Sequence, residues 1–168
     1  MNRRTFLAFT STTAALALLS ACGFHLRGSL GEANLPFKTM FVGVPDTSPL
    51  GAELKRTIRG NGTALVTDPK LAEAILDIVS EQRDKTVLSL SSQGRVREYS
   101  LFYRVSFRVR DSNDKQLLAP TEVVLKRDIS FNESQVLSKE AEEGLLYRDM
   151  QSDLVQQILR RLVAIKPN

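Results

Sequence analysis

Apolar and polar positions alternate most strictly over 99–110, where Tyr99, Leu101, Tyr103, Val105, Phe107 and Val109 share one parity. Between them stand Ser100, Phe102, Arg104, Ser106, Arg108 and Arg110, of which only Phe102 is apolar. A period of two with one polar parity predicts a long antiparallel strand, buried on one face and solvated on the other. Asp111-Ser112-Asn113-Asp114 turns the chain, and 122–131 returns with Val123, Leu125, Ile129 and Phe131 on one parity. Upstream, Met40, Val42 and Val44 alternate in a strand over 38–44 that Pro45 ends. A short extended piece at 63–66 precedes a turn at Asp68-Pro69, and 74–79 reads as another strand. Residues 86–90 lead into a turn at Ser91-Ser92-Gln93-Gly94.

Twice the period lengthens to that of a helix. Ser48 precedes Pro49 as an N-cap before a first-turn proline, Leu50, Leu54 and Ile58 form a stripe, and Gly60-Asn61-Gly62 supplies the stop. Leu146, Met150, Leu154, Ile158, Leu162 and Ile165 mark a second helix over 139–165. Ser138 is its expected cap, Glu140 and Glu142 complement the first turns, and Arg160 and Arg161 the C-terminal end. The order β-α-β-β-β-α predicts an α+β fold: a mostly antiparallel four-stranded sheet with two helices packed on one face, forming a single domain over 36–168.

The first 21 residues follow another pattern. Asn2-Arg3-Arg4 is a short basic start, and the apolar run 6–19 is diluted by Thr and Ser. That run is shorter than the roughly 20 apolar residues of a transmembrane helix, and the layout is that of a secretory signal peptide, removed on export. Arg3-Arg4 also resembles a twin-arginine signal, although the general export route requires less of the sequence. Leu19-Ser20-Ala21-Cys22 resembles a bacterial lipobox, in which the cysteine thiol takes a diacylglycerol and the new amino terminus a further acyl group. Each buried methylene contributes about 0.8 kcal/mol, so two or three chains anchor stably where one is marginal. Cys22 is therefore the expected lipidation site, carrying S-diacylglycerol and an N-acyl group such as palmitate. Gly23 in place of Asp implies the periplasmic side of the outer membrane. Residues 22–35, with Gly28, Ser29, Gly31 and Asn34, read as a lipid-anchored linker. Cys22 is the only cysteine, so no internal disulfide supports the fold.

Charge refines this picture. The whole chain carries 23 basic and 19 acidic residues, but Arg3 and Arg4 leave with the signal peptide, so the mature chain is close to neutral. Its cations are concentrated: 83–127 holds ten against five acids. Arg104, Arg108 and Arg110 share the polar parity of the long strand and are expected on the sheet face away from the helices. Guanidinium suits planar contacts with phosphate and carboxylate. A solvated strand face that discourages edge pairing is the alternative reading. Export excludes nucleic acid as the partner.

Catalytic chemistry finds no support. His25 is the only histidine and lies three residues from Cys22, outside the domain, so no His-based triad or metal site is available to it. No Gly-rich phosphate loop, Cys–His metal spacing or Gly-x-Ser-x-Gly elbow occurs. Glu142 and Glu143, adjacent on a helix, point about 100° apart and do not form a carboxylate pair. The sequence predicts no enzyme, no metal and no cofactor beyond the acyl groups on Cys22.

The mature start, Cys22-Gly23-Phe24-His25-Leu26-Arg27-Gly28, resembles that of the LPS-assembly lipoprotein LptE family. Gly94 through Glu98-Tyr99 resembles the family's entry into its long strand, and Arg59-Gly60-Asn61-Gly62 its helix-to-turn signal. The resemblance spans nearly the whole mature chain. It implies a non-enzymatic lipoprotein that sits as plug and assembly partner inside the outer-membrane β-barrel LptD and binds lipopolysaccharide during its delivery to the outer leaflet. Lys139 falls where the family carries a basic residue at the start of its last helix. Ser92 stands where members carry a basic residue in the turn before the long strand, and Arg95 and Arg97 are candidates to replace it. On this reading Arg95, Arg97 and Lys139 contact lipopolysaccharide, while Arg104, Arg108 and Arg110 face the barrel or the same ligand. The competing expectation is a lipoprotein that binds peptidoglycan, or regulates a cell-wall enzyme, through the same basic face.

Overall fold

The computed structural model describes residues 35–45 and 47–166. The predicted signal peptide, Cys22, His25 and all of the predicted linker except Leu35 lie outside them. Leu35 itself is packed into the core.

The first strand, β1 (Thr39–Gly43), buries Met40 and Val42 and leaves the alternate residues half-buried. Helix α1 (Pro49–Gly60) starts where expected: the Gly51 N–H donates to Ser48 Oγ at 3.1 Å, and Pro49 stands at the first helical position. Leu50, Leu54 and Ile58 are fully buried. Gly51 is needed because a Cβ there would lie 2.4 Å from Val44 Cγ1. Replacing Ser48 by alanine removes the cap and should cost about 1 kcal/mol in urea unfolding, with an unchanged native circular dichroism spectrum.

After a turn at Gly62, where φ is +81°, β2 (Ala64–Leu65) lies parallel to β1. A short 3-10 turn, Pro69–Leu71, leads to β3 (Ala74–Leu90). The antiparallel strands β4 (Val96–Arg110) and β5 (Gln116–Ser130) follow. After the 3-10 turn Glu133–Gln135, helix α2 (Val136–Val163) completes the chain. The sheet order is β2-β1-β3-β4-β5.

The sheet therefore has five strands rather than four, and it is mixed: β1 is parallel to both β2 and β3. The extra strand is the 63–66 piece, too short to show periodicity. The stretches 74–79 and 86–90 belong to one 17-residue strand. A bulge between Ile78 and Ser80 conceals this continuity. One extra residue switches the parity, so Leu76 and Ile78 face the core before it, whereas Glu81, Arg83, Lys85 and Val87 do so after it, opposite Val105, Tyr103, Leu101 and Tyr99.

α2 also begins earlier than Ser138. Its N-cap is Gln135, which makes no side-chain capping bond; Asn132 instead caps the preceding 3-10 turn, accepting from the Ser134 N–H at 3.0 Å. Glu140 and Glu142 consequently lie beyond the first turn. Both helices contribute to the core with the inward parity of β4: Leu101, Tyr103, Val105, Phe107 and Val109 are fully buried, as are Met150, Leu154, Val155, Ile158 and Leu162. β1 covers β3 only from Ala74 to Asp77, so the distal halves of β3, β4 and β5 extend past this core toward the 91–95 turn.

Candidate functional site

The six basic residues singled out from the sequence fall into two groups along β4. Arg95 and Arg97 are at its start, beside the 91–95 turn, with Lys139 on the second turn of α2. At about 3.3 Å per residue, Arg104 is roughly 23 Å and Arg110 roughly 43 Å further along the strand.

On the proximal group the strand parity holds, and the sheet register supplies partners. Arg104 Nη1 donates to Asp84 Oδ2 at 2.8 Å. Arg108 and Arg110 both donate to Asp77 Oδ2, at 3.2 and 2.8 Å, and Arg110 also reaches Asp114 at 2.7 Å. Asp77 and Asp84 come from the neighbouring β3, where Asp77 is directly opposite Arg108. The bond to Asp77 holds the Arg110 guanidinium above its already high ordinary value. Gly43 leaves room for Asp77, since a Cβ there would approach its Oδ1 to 2.8 Å. This face is polar and charge-paired. The bond from Ser100, with Lys126 nearby, likewise holds Asp128 below the usual carboxylate range.

The distal group is different. Arg97 lies between two adjoining clefts of about 540 and 580 Å³ and makes no side-chain hydrogen bond or ion pair among the described residues. The first cleft runs between Ser89, Leu90, Phe131 and Lys139; the second lies over Ser91, Gln93, Arg95 and Glu133. Arg95 is largely exposed and only loosely paired, with Nη1 3.5 Å from Glu133. Lys139 is held more closely, donating to Ser130 Oγ at 3.0 Å and Glu142 Oε2 at 2.8 Å. Ser92 sits in the turn itself, which Gly94 closes with φ +76°. The tip also exposes Val87, Leu88, Leu90 and Leu137. Cations beside exposed apolar side chains suit an anionic amphiphile better than a soluble anion.

Arg83 and Lys85, counted with the basic stretch in the sequence, point inward instead. Arg83 stacks 4.5 Å over the Tyr103 ring and donates to Tyr103 Oη at 2.9 Å and Gln151 Oε1 at 3.2 Å. Tyr103 Oη donates to Glu81 at 2.5 Å, while Gln151 Nε2 donates to Glu53 at 2.7 Å. These bonds tie β3, β4, α1 and α2 together. No sequence signal marks them, because their members lie 20 to 98 positions apart.

Among the described residues no helix is long and apolar enough to cross a membrane, and no three His, Cys, Asp or Glu side chains converge on a metal position. The described residues thus form a helix-backed sheet with a charge-paired open face and a cationic, partly apolar end. Residues 37–162 match the model of the LptE family, described as lipopolysaccharide-assembly. The chain belongs to that family. It is 24% identical over 153 residues to the LPS-assembly lipoprotein LptE of Pectobacterium atrosepticum, covering 90% of this chain and 82% of that protein. The LptE of Photorhabdus laumondii is 21% identical over 151 residues, with the same shares. Among solved structures, a lipoprotein B from Nitrosomonas europaea is 43% identical, covers 84% of this chain and 91% of its own, and superposes with a TM-score of 0.72. The rare lipoprotein B from Shewanella oneidensis, 23% identical over 75% of this chain and 94% of its own, shares the fold with a TM-score of 0.67.

Proposed function

We propose that the chain is an outer-membrane lipoprotein, anchored on the periplasmic side through Cys22, that assembles with the β-barrel LptD and binds lipopolysaccharide at its distal cleft during delivery to the outer leaflet. Family membership supports the pathway. The observation that carries the ligand is Arg97, without a side-chain partner among the described residues, between two clefts and flanked by Arg95 and Lys139. Guanidinium and ammonium groups form short, charge-assisted bonds to phosphate, and nearby Leu90 and Leu137 provide apolar surface. The opposite requirement holds for Arg104, Arg108 and Arg110. Their charges are balanced by Asp77, Asp84 and Asp114, which suits a hydrated barrel interior better than a lipid.

Reversing Arg95 and Arg97 together to glutamate should weaken lipopolysaccharide binding at least about tenfold, since each lost charge-assisted contact is worth about 1.5–3 kcal/mol in a desolvated site. Both residues are surface-placed, so the thermal unfolding midpoint should move little; unchanged binding with retained fold removes them from the site. A pull-down of the lipidated chain should recover one large outer-membrane β-barrel. Recovery only of peptidoglycan fragments or a cell-wall enzyme would overturn the barrel assignment.

A further inference from the structure

α2 changes character along its length. From Met150 onward its buried positions are apolar apart from Gln151, but the segment from Val136 to Glu143 meets the sheet through charged side chains. Glu143 accepts from Lys85 Nζ at 2.6 Å, and Lys139 donates to Ser130. The surface beneath is apolar: Val87 is opposite Tyr99 on β4, whose ring meets Phe131 edge-on at 5.2 Å between centroids. The Lys85 ammonium lies 4.4 Å over that same ring. An apolar strip is thus roofed by an ion pair rather than by apolar side chains, and Val87 remains about half exposed.

Gly144 stands at the boundary between the two parts. A Cβ there would meet nothing within 4 Å, so neither packing nor backbone conformation requires glycine, which weakens a helix interior. Beyond it Leu146 packs against the core, and the Tyr147 hydroxyl donates to the Asp84 carbonyl at 2.9 Å.

We infer that Val136–Glu143 is an arm that swings about Gly144 and uncovers the strip formed by Val87, Tyr99 and Phe131, which takes one acyl chain of an anionic amphiphile whose phosphate is held by Arg97 and Lys139. This rests on the anion-binding reading of the distal cleft and adds the apolar half of the ligand. The Lys139 bond to Glu142 lies within the arm, whereas its bond to Ser130 ties the arm to β5; a phosphate taken up between Lys139 and Arg97 replaces that direct tie by a longer bridge, which lets the arm stand off the strip. The exposed Leu88 and Leu90 continue the apolar path outward.

The test uses the full chain with Cys22→Ser, so that none of its own acyl groups competes, and n-alkyl phosphates below their micelle concentrations. Fully burying four methylenes corresponds to about 200-fold in affinity, so a partly open strip should favour dodecyl over octyl phosphate at least about tenfold. Val87→Gln should abolish that chain-length dependence and leave inorganic phosphate binding unchanged. Gly144→Ala should lower dodecyl phosphate affinity about fivefold and slow hydrogen exchange at 136–143, which in the parent chain should be far faster than at 150–159. Equal affinity for the two alkyl phosphates, with inorganic phosphate still competing, overturns the strip and spares the anion site. Exchange at 136–143 as slow as at 150–159 overturns the arm. Absence of any phosphate binding overturns the anion site and with it this inference.

Discussion

Truncating Tyr103 to alanine should lower the unfolding free energy by about 4 kcal/mol, and Tyr103→Phe should account for about 1–2 kcal/mol of that loss. The first figure follows from removing a fully buried ring in the middle of β4, beneath both helices. The second follows from deleting one hydroxyl that donates to Glu81 and accepts from Arg83, leaving two charged partners one bond short. Both ions retain some solvent contact, which places the phenylalanine effect below that of a fully buried pair. Urea unfolding of the two variants separates packing from the polar tie. A loss for Tyr103→Phe as large as for alanine would show that the ring contributes little. The alkaline limb provides a second check. Burial, followed by the bond to Glu81, raises the Tyr103 phenol above its ordinary value near 10. Its neutral form therefore contributes stability that is complete below about pH 10 and is lost as pH rises toward the folded-state value. The parent chain should lose stability more steeply than Tyr103→Phe above that pH.

Tyr103 also marks the limit of what periodicity discloses. Its burial was legible, because six alternating apolar residues define the inward parity of β4, and the same logic placed Arg104, Arg108 and Arg110 outward. Its hydroxyl partners were not. Glu81 and Arg83 face the core only because one bulged residue reverses the parity of β3 after Ile78. In the sequence the segment reads as a polar interruption between two short strands. Helix α2 shows a related effect. Ser138 has the chemistry of a cap, but the helix already begins at Val136, directly after a 3-10 turn that Asn132 caps. Helix α1, whose cap, first-turn proline and terminal glycines act locally, begins and ends as expected.

The candidate site divides on the same principle. The concentration of cations was visible in composition, but whether each cation is available depends on acids brought across the sheet. Arg104 and Arg108 meet Asp84 and Asp77 from positions 20 and 31 residues earlier. Arg97, at the start of the same strand, meets none among the described residues. Register, which a single sequence does not specify here, separates the ion-paired Arg104, Arg108 and Arg110 from Arg97 on the same strand. The resemblance at the mature start pointed to the family without resolving this distinction, since its motif lies before the folded core.

Replacing Cys22 by serine should convert the protein from vesicle-bound to free, the largest change expected of any single substitution in the chain. No described helix is long and apolar enough to span a bilayer, and residues 22–168 carry 21 basic and 19 acidic side chains. A basic residue beside an anionic surface contributes only about 1 kcal/mol, whereas acyl chains contribute about 0.8 kcal/mol for every buried methylene. Flotation with vesicles that contain no barrel protein isolates the anchor from any partner that could retain the domain at a membrane. The parent should float with the vesicles and the variant should remain at the bottom, both with the same circular dichroism spectrum, because residue 22 lies thirteen positions before Leu35, the first described core residue. Mass spectrometry of the parent's N-terminal peptide should show a chain beginning at Cys22 with diacylglycerol and one further acyl group. An unmodified cysteine, or a variant that floats equally well, would assign the membrane attachment to some other part of the molecule.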